Sequence, residues 1–477
     1  YSPSLQYYVP NAYQGLVGRL TYEYASRYLA EFNMGYNGTE NFAKGKRFGF
    51  FPAVSLGWVI SEEKFFPKNN IVKYLKVRGS YGEVGNDQIG GDRFLYLPSS
   101  YGAASDSGVN KYNFGLASNP YTSLMIVENK IGNPDLTWEK AKKMNVGVDI
   151  NLFNNCLTAS FDIFKEKRNN ILANRSTSPM IIGANLPAYN FGEMENRGWE
   201  MDLNFRHHIQ DFHYWARFNY SFARNEIIYM DEVQKRYDYQ MTTGRRKNQF
   251  FGLIFDGYYN SWEEINALDR PKSSWSGNQL QPGDVKYVDV NQDGVIDDYD
   301  MVPIGYTPVP EIIYGFSFGA QYKGFDFSIL FQGADNVSIK YFGRSMWPFA
   351  KGEESAKSLI KERWTQERYE AGEKITFPRL SLNPNGETDH NYRPSTLWIR
   401  DASYLRLKNL EVGYTFTGGF VKRLNLNSVR LYFNGSNLFT WTDVVDLDPE
   451  APSRSGNVEI NTYPLQKVYN IGLNINF

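Results

Sequence analysis

A single cysteine, Cys156, stands in 477 residues, so no disulfide within the chain is available to staple it. Histidine is nearly as scarce, with His207, His208, His213 and His390 the whole supply, and zinc chemistry has little to work with. Charge of one sign is also lacking, because 51 basic residues face 52 acidic ones and leave a net charge of −1. No long-range field therefore recommends nucleic acid or an anionic membrane surface as a partner. Long apolar runs are missing as well: nowhere do about 18 apolar residues follow one another, which excludes a transmembrane helix. The opening stretch YSPSLQYYVPNAYQG carries neither a basic segment nor an apolar one of the kind a signal peptide needs. A membrane β-barrel survives all of these tests, because its strands alternate lipid-facing and bore-facing residues and stay inconspicuous in hydropathy.

What the chain has in abundance is aromatic residues, 35 Tyr, 33 Phe and 10 Trp, together with 41 Gly. They fall into long segments of period two, the spacing that puts alternate side chains on opposite faces of a strand. In FHYWARFNYSFA, residues 212–223, Phe212, Tyr214, Phe218, Tyr220 and Phe222 share one face, and His213, Arg217, Asn219 and Ser221 share the other. Thirteen such strands are expected, near 12–24, 28–38, 50–61, 74–84, 136–152, 157–167, 195–206, 212–225, 311–323, 325–334, 403–416, 428–439 and 464–477. Short turns at 153–156, 207–211 and 323–325 alternate with long excursions at 85–135, 168–194, 226–310 and 335–402. That alternation is the pattern of an outer-membrane barrel, with short periplasmic turns and long extracellular loops. The fold class is therefore all-β, a transmembrane antiparallel β-barrel. Carboxylates on the polar faces, among them Glu31, Asp149, Asp162, Glu200, Asp202 and Asp326, read as a hydrated bore wall with interstrand ion pairs rather than as an acid/base pair.

Two loops carry motifs. In 226–310, VDVNQDGVIDDYD follows the EF-hand calcium template, with Asp300 in place of the usual Glu. A hard cation needs oxygen ligands at alternating positions of a sharp turn, so Asp289, Asn291, Asp293, the Val295 carbonyl, Asp297 and Asp300 are the candidate ligands of a structural Ca2+. In 335–402, residues 354–367 have the spacing of one amphipathic helix. Tyr258, Tyr259, Trp262 and Trp347, with Phe349, are candidates for stacking on cargo, against the plainer expectation that they pack the loops together. GFSFG at 315–319 satisfies a hydrolase nucleophile pattern, but Ser317 falls in the middle of an expected strand, and no catalytic residue is expected.

An odd number of antiparallel strands does not close a bacterial barrel. The chain ends in YNIGLNINF, where Asn470, Gly472, Ile475 and Phe477 have the spacing of an outer-membrane assembly signal, so further barrel is expected before Tyr1. Six stretches in order, YLKVRGSYGEVGN (74–86), 131–167, MENRGWEMDLNF (194–205), PGDVKYVDVNQDGVID (282–297), LWIRDASYLRLKNLEVGYTF (397–416) and VRLYFNGSNLFT (429–440), resemble the SusC/RagA-like TonB-dependent transporters of Bacteroidetes outer membranes. The resemblance implies that residues 1–477 are the C-terminal part, thirteen strands, of a plugged barrel of about 22 strands. It also implies a SusD-like surface lipoprotein as lid, contact with TonB through a region N-terminal to this chain, surrounding outer-membrane lipid, and oligosaccharide or peptide cargo. Other readings are a soluble, secreted calcium-dependent glycan-binding protein or hydrolase, and a surface barrel that transports nothing.

Overall fold

The computed structural model describes residues 12–88, 94–97, 102–103, 111–116, 119–124, 126–127, 131–177, 186–275, 280–341, 347–349, 358–381, 389–445, 447–450, 457–458 and 465–477. Thirteen long strands form one antiparallel sheet in strict chain order. They are β1 (Tyr13–Tyr24), β2 (Tyr28–Thr39), β3 (Phe48–Val59), β4 (Val72–Asn86), β5 (Glu139–Leu152), β6 (Leu157–Ala173), β7 (Tyr189–Ile209), β8 (Phe212–Tyr229), β9 (Ile312–Tyr322), β10 (Phe325–Asp335), β11 (Tyr404–Phe416), β12 (Ser428–Thr442) and β13 (Val468–Asn476). All thirteen expected strands are present.

Register sorts the side chains onto two faces. Across β5 to β9, Val148, Phe161, Met201, Tyr220 and Tyr314 lie side by side in one lateral row, and Val146, Ile163, Trp199, Phe222 and Ile312 in the next. On the other face Asp149, Ser160, Asp202, Asn219 and Gly315 form the matching row. None of Phe212, Phe218 and Phe222 is buried in protein, as befits side chains meant for hydrocarbon. An antiparallel sheet with one apolar and one polar face has the design of a membrane barrel wall, apolar outward and polar toward the bore.

From β4 onward the connections alternate in length as expected, with two differences, whereas before it the outer connection 40–47 is shorter than the inner one at 60–71. The excursion expected at 168–194 shrinks to 174–188, because β6 and β7 run on beyond the apolar band as a ladder of charged pairs. A further outer connection spans 443–467. At the opposite end, β9 and β10 are joined through Lys323 (φ 45°) and Gly324 (φ 89°), the two left-handed residues of a type I′ turn whose twist suits a hairpin.

The largest core lies outside the wall. Leu253, Val285, Phe377, Tyr392 and Trp398, with Val444, are buried together in an outer module built from the β8–β9, β10–β11 and β12–β13 connections. A small sheet of Ser338–Tyr341, Ile399–Asp401 and Asn457–Val458 braces it. The single helix expected over 354–367 is not formed. Residues 351–357 lie outside those described, Ser358–Glu362 is a 3₁₀ turn, and a short helix follows at Gln366–Glu370. Trp364 breaks the run because its ring is buried in the module core and its backbone N–H donates to the Phe377 carbonyl at 2.8 Å. Tertiary burial overrides the helical spacing.

Candidate functional site

Two regions position charged and aromatic side chains: the bore wall, and the outer module above it. On the wall, Arg78 of β4 donates to both oxygens of Asp162 on β6, at 2.7 and 2.6 Å, and to Asp149 of β5 at 3.0 Å. Arg78 and Asp162 are not on neighbouring strands. They meet because Gly147 lies between them on β5, where an added Cβ would come within 2.5 Å of Asp162 Oδ1 and 2.7 Å of Arg78 Cζ. The same device recurs on the far side. Arg430 of β12 reaches over Gly413 of β11 to Asp326 of β10, and donates to Glu411 at 2.6 Å. Arg19 pairs with Glu31 at 2.6 Å, and Ser221 donates to Glu200 at 3.3 Å. Glu31, Asp149, Asp162, Glu200 and Asp326 are thus tied to other strands, whereas Asp202 makes no such bond among the described residues. Sequence reading missed the glycine windows, whose signal is an inward Gly in register with Asp on one flank, with Arg in register (Arg78) or two positions along (Arg430) on the other.

In the outer module a polar knot threads the apolar core. Asp284, 3% exposed, accepts from Arg379 Nε at 2.6 Å, Asn391 Nδ2 at 2.8 Å and the Gln281 N–H at 2.8 Å. Asn391 in turn accepts from the Val285 N–H at 2.9 Å, and its carbonyl accepts from the Trp398 indole at 2.8 Å. His390 Nε2 lies 2.8 Å from the Val285 carbonyl, so it carries the proton, while Nδ1 accepts from the Ser273 hydroxyl at 3.0 Å. Burial pushes this imidazole below its ordinary value, and it stays neutral. These bonds join the β8–β9 and β10–β11 connections, more than 100 positions apart in sequence, into one body.

The calcium-motif loop sits on this body. Gln292 (φ 58°) and Gly294 (φ 81°) make the tight turn. Asp289 Oδ2 accepts from the Gly294 N–H at 2.8 Å, Asn291 Oδ1 from the Asp293 N–H at 2.9 Å, and Asp293 Oδ1 from the Val295 N–H at 2.9 Å. Asp297 and Asp300 close a reciprocal cap on the 3₁₀ turn Asp298–Asp300. Asp300 is fully buried, accepts from Val290 and Asp297 N–H groups at 2.8 and 2.9 Å, and is held above the ordinary carboxylate range by that burial. Among the described residues, no three His, Cys, Asp or Glu side chains are gathered closely enough to hold a metal. One atom is unsatisfied: Asp289 Oδ1 is buried without a hydrogen-bond partner.

Of the aromatic candidates, Tyr258 and Trp347 lie in the module core and Tyr259 packs with Ile265 and Leu280, so these three rings serve packing. Trp262, on the short helix Trp262–Ile265, remains exposed. Ser317 is mid-strand in β9, away from any strand-to-helix turn. At the chain end, Asn470 donates to Asn434 at 2.8 Å, and Gly472 lies under the Tyr432 ring, where a Cβ would come within 2.1 Å of it. Ile475 and Phe477 are exposed, the latter 86%.

This geometry has close counterparts. The family described as "TonB dependent receptor-like, beta-barrel" matches residues 3–438. The TonB-dependent receptor SusC of Bacteroides thetaiotaomicron is 28% identical over 477 residues, covering 99% of this chain and 44% of that protein. The TonB-dependent receptor P3 of Formosa agariphila is also 28% identical, over 479 residues, with 96% and 45% covered. The chain thus spans less than half the length of either relative. Among solved structures, the RagAB peptide transporter superposes with a TM-score of 0.73 at 24% identity, over 98% of this chain and 47% of that one, a likeness of fold. Wall, register and sequence agree: the chain belongs to the TonB-dependent receptor-like β-barrels of the outer membrane.

Proposed function

We propose that these thirteen strands are the C-terminal wall of a SusC-like, TonB-dependent importer that moves oligosaccharides or oligopeptides into the periplasm beneath a SusD-like lipoprotein lid. The observation that carries this reading is the outer module. Three connections far apart in sequence fold over the outer end of the wall around a core of their own, which gives a partner at the cell surface a rigid platform to meet. TonB would engage a region N-terminal to these strands. In hydrocarbon the free edges of β1 and β13 need strand partners, since only a closed sheet satisfies its backbone there. No catalytic role is assigned to any residue.

The test is deletion of the gene for the full-length protein, with uptake of labelled oligopeptides and of labelled oligosaccharides followed in parallel and the protein purified from the parent strain. Loss of one uptake and copurification of a surface lipoprotein are expected. Normal uptake of both with no lipoprotein attached would leave a barrel that transports nothing.

We further propose that the loop at 289–300 takes up Ca2+ as a structural staple. The unpartnered Asp289 Oδ1 and the all-oxygen donor set, with Asn291, Asp293, Asp297, Asp300 and the Val295 carbonyl, support it. The ion would offset part of the entropy lost in ordering so long a connection. Asp289→Ala combined with Asp293→Ala should abolish bound calcium in elemental analysis and raise protease cleavage within 226–310. Unchanged metal content in the double variant removes the idea.

A further inference from the structure

Above the apolar rows on β6, β7 and β8 the outward face changes abruptly. Lys165 lies directly opposite Arg197, and Arg197 directly opposite Arg224, so three cations stand side by side across three strands. Like charges directly opposite one another in a sheet destabilise it unless anions intervene. Internal anions reach Lys165 and Arg197 from one side only. Lys165 pairs with Glu195 at 2.9 Å and Arg197 with Glu226 at 3.9 Å, and both acids lie further from the apolar band than their cations, whereas Arg224 pairs with Glu311, opposite Ala223 and so about level with it, at 2.8 Å. Within the pairs the acids are the recessed members. Lys165 is 52% exposed against 17% for Glu195, and Arg224 40% against 4% for Glu311. Lys165 and Arg197 therefore keep free donor capacity on the side facing the membrane.

The height of this row follows from the strands. Outward-facing residues on β8 are free of charge from Phe212 to Phe222, and Arg224 is the next. Ten residues rise about 33 Å along a strand, which at a tilt of about 40° spans about 25 Å, the thickness of the apolar band of such barrels. Lys165, Arg197 and Arg224 thus stand at the outer boundary of hydrocarbon, where lipid phosphates lie and where long cationic side chains reach toward them.

We propose that Lys165 and Arg197, flanked by Arg224, form a binding surface for the phosphate of an outer-leaflet lipid headgroup, which supplies an anion to these two from the membrane side. Guanidinium groups suit a phosphate because two N–H bonds can run in parallel to it. The site would fix the depth of the barrel in the bilayer and recruit phosphorylated lipid to this sector.

The test is native mass spectrometry of the full-length protein in detergent, offered a phosphorylated glycolipid or the same lipid after phosphatase treatment. Retention of the phosphorylated form and loss of the dephosphorylated one are expected. Lys165→Gln combined with Arg197→Gln should weaken retention at least tenfold, whereas Lys422→Gln with Arg423→Gln, at the short-turn end, should leave it unchanged. Equal retention of the two lipids overturns the proposal, and this comparison needs no variant to fold. Undiminished retention in the first double variant also overturns it, as does displacement of the lipid by inorganic phosphate at equal concentration.

Discussion

Arg379→Ala is expected to cost the outer module about 3–5 kcal/mol, the range for removing one partner of a buried ion pair. Asp284 would then remain nearly inaccessible to water, with its charge met only by the Asn391 amide and a backbone N–H. Because Asn391 also holds the Val285 backbone and the Trp398 indole, strain at Asp284 passes directly into the packed core. Limited proteolysis of the full-length protein in detergent should show cleavage in 230–311 and 336–403 accelerated by roughly 100-fold or more, as that free energy implies when opening is fast relative to cleavage. The wall should stay folded, as judged by heat-modifiable migration on gels, since its stability comes from strand pairing. Adding Asp284→Asn should recover much of the loss, because an amide keeps an acceptor while removing the unpaired charge. A proteolysis rate unmoved by Arg379→Ala would mean that the knot does not hold the module together.

The contrast between wall and module also explains what could be read in the sequence. Strand β8 was legible because lipid on one side and water on the other impose period two on every residue from Phe212 to Phe222. Where both faces become polar the signal fades. Strand β7 was expected over 195–206 and runs over Tyr189–Ile209, its outer end Tyr189–Met194 being too short and mixed, with Asn190, Gly192 and Glu193 among Tyr189 and Phe191, to mark a face. The module core has no period at all. Val285 and Trp398 meet only after two loops have folded, and neither local spacing nor propensity reports such a contact. For the same reason an amphipathic pattern around Trp364 suggested a helix that tertiary burial forbids, while Tyr258 and Trp347 follow the plainer expectation and pack in the core. The calcium motif was legible as a pattern of residue types, whereas the reciprocal cap between Asp297 and Asp300 depends on backbone geometry that the pattern does not specify. The glycine windows at Gly147 and Gly413 lie between these cases: the residues are visible, but their roles appear only once register places Arg and Asp on either side.

Phe218→Arg tests the orientation of the whole wall. Phe218 is near the middle of the uncharged outward run of β8, between Leu203 of β7 and Phe316 of β9, so its side chain points into hydrocarbon close to the midplane. An arginine there should cost about 2–4 kcal/mol, the range for a cation at that depth on the lipid face of a barrel. One residue further on, Asn219 faces the bore, opposite Asp202 on one side and Gly315 on the other. Asn219→Arg places the same charge in an aqueous channel beside a carboxylate, and its expected cost is below about 1 kcal/mol. The two variants differ by one position and share their chemistry, so the difference between them isolates the face. Measured as shifts in the denaturant midpoint for insertion of the full-length protein into lipid vesicles, Phe218→Arg should be the damaging change and Asn219→Arg the tolerated one. Equal damage from both would mean that neither face meets water, and the reverse order would turn the barrel inside out.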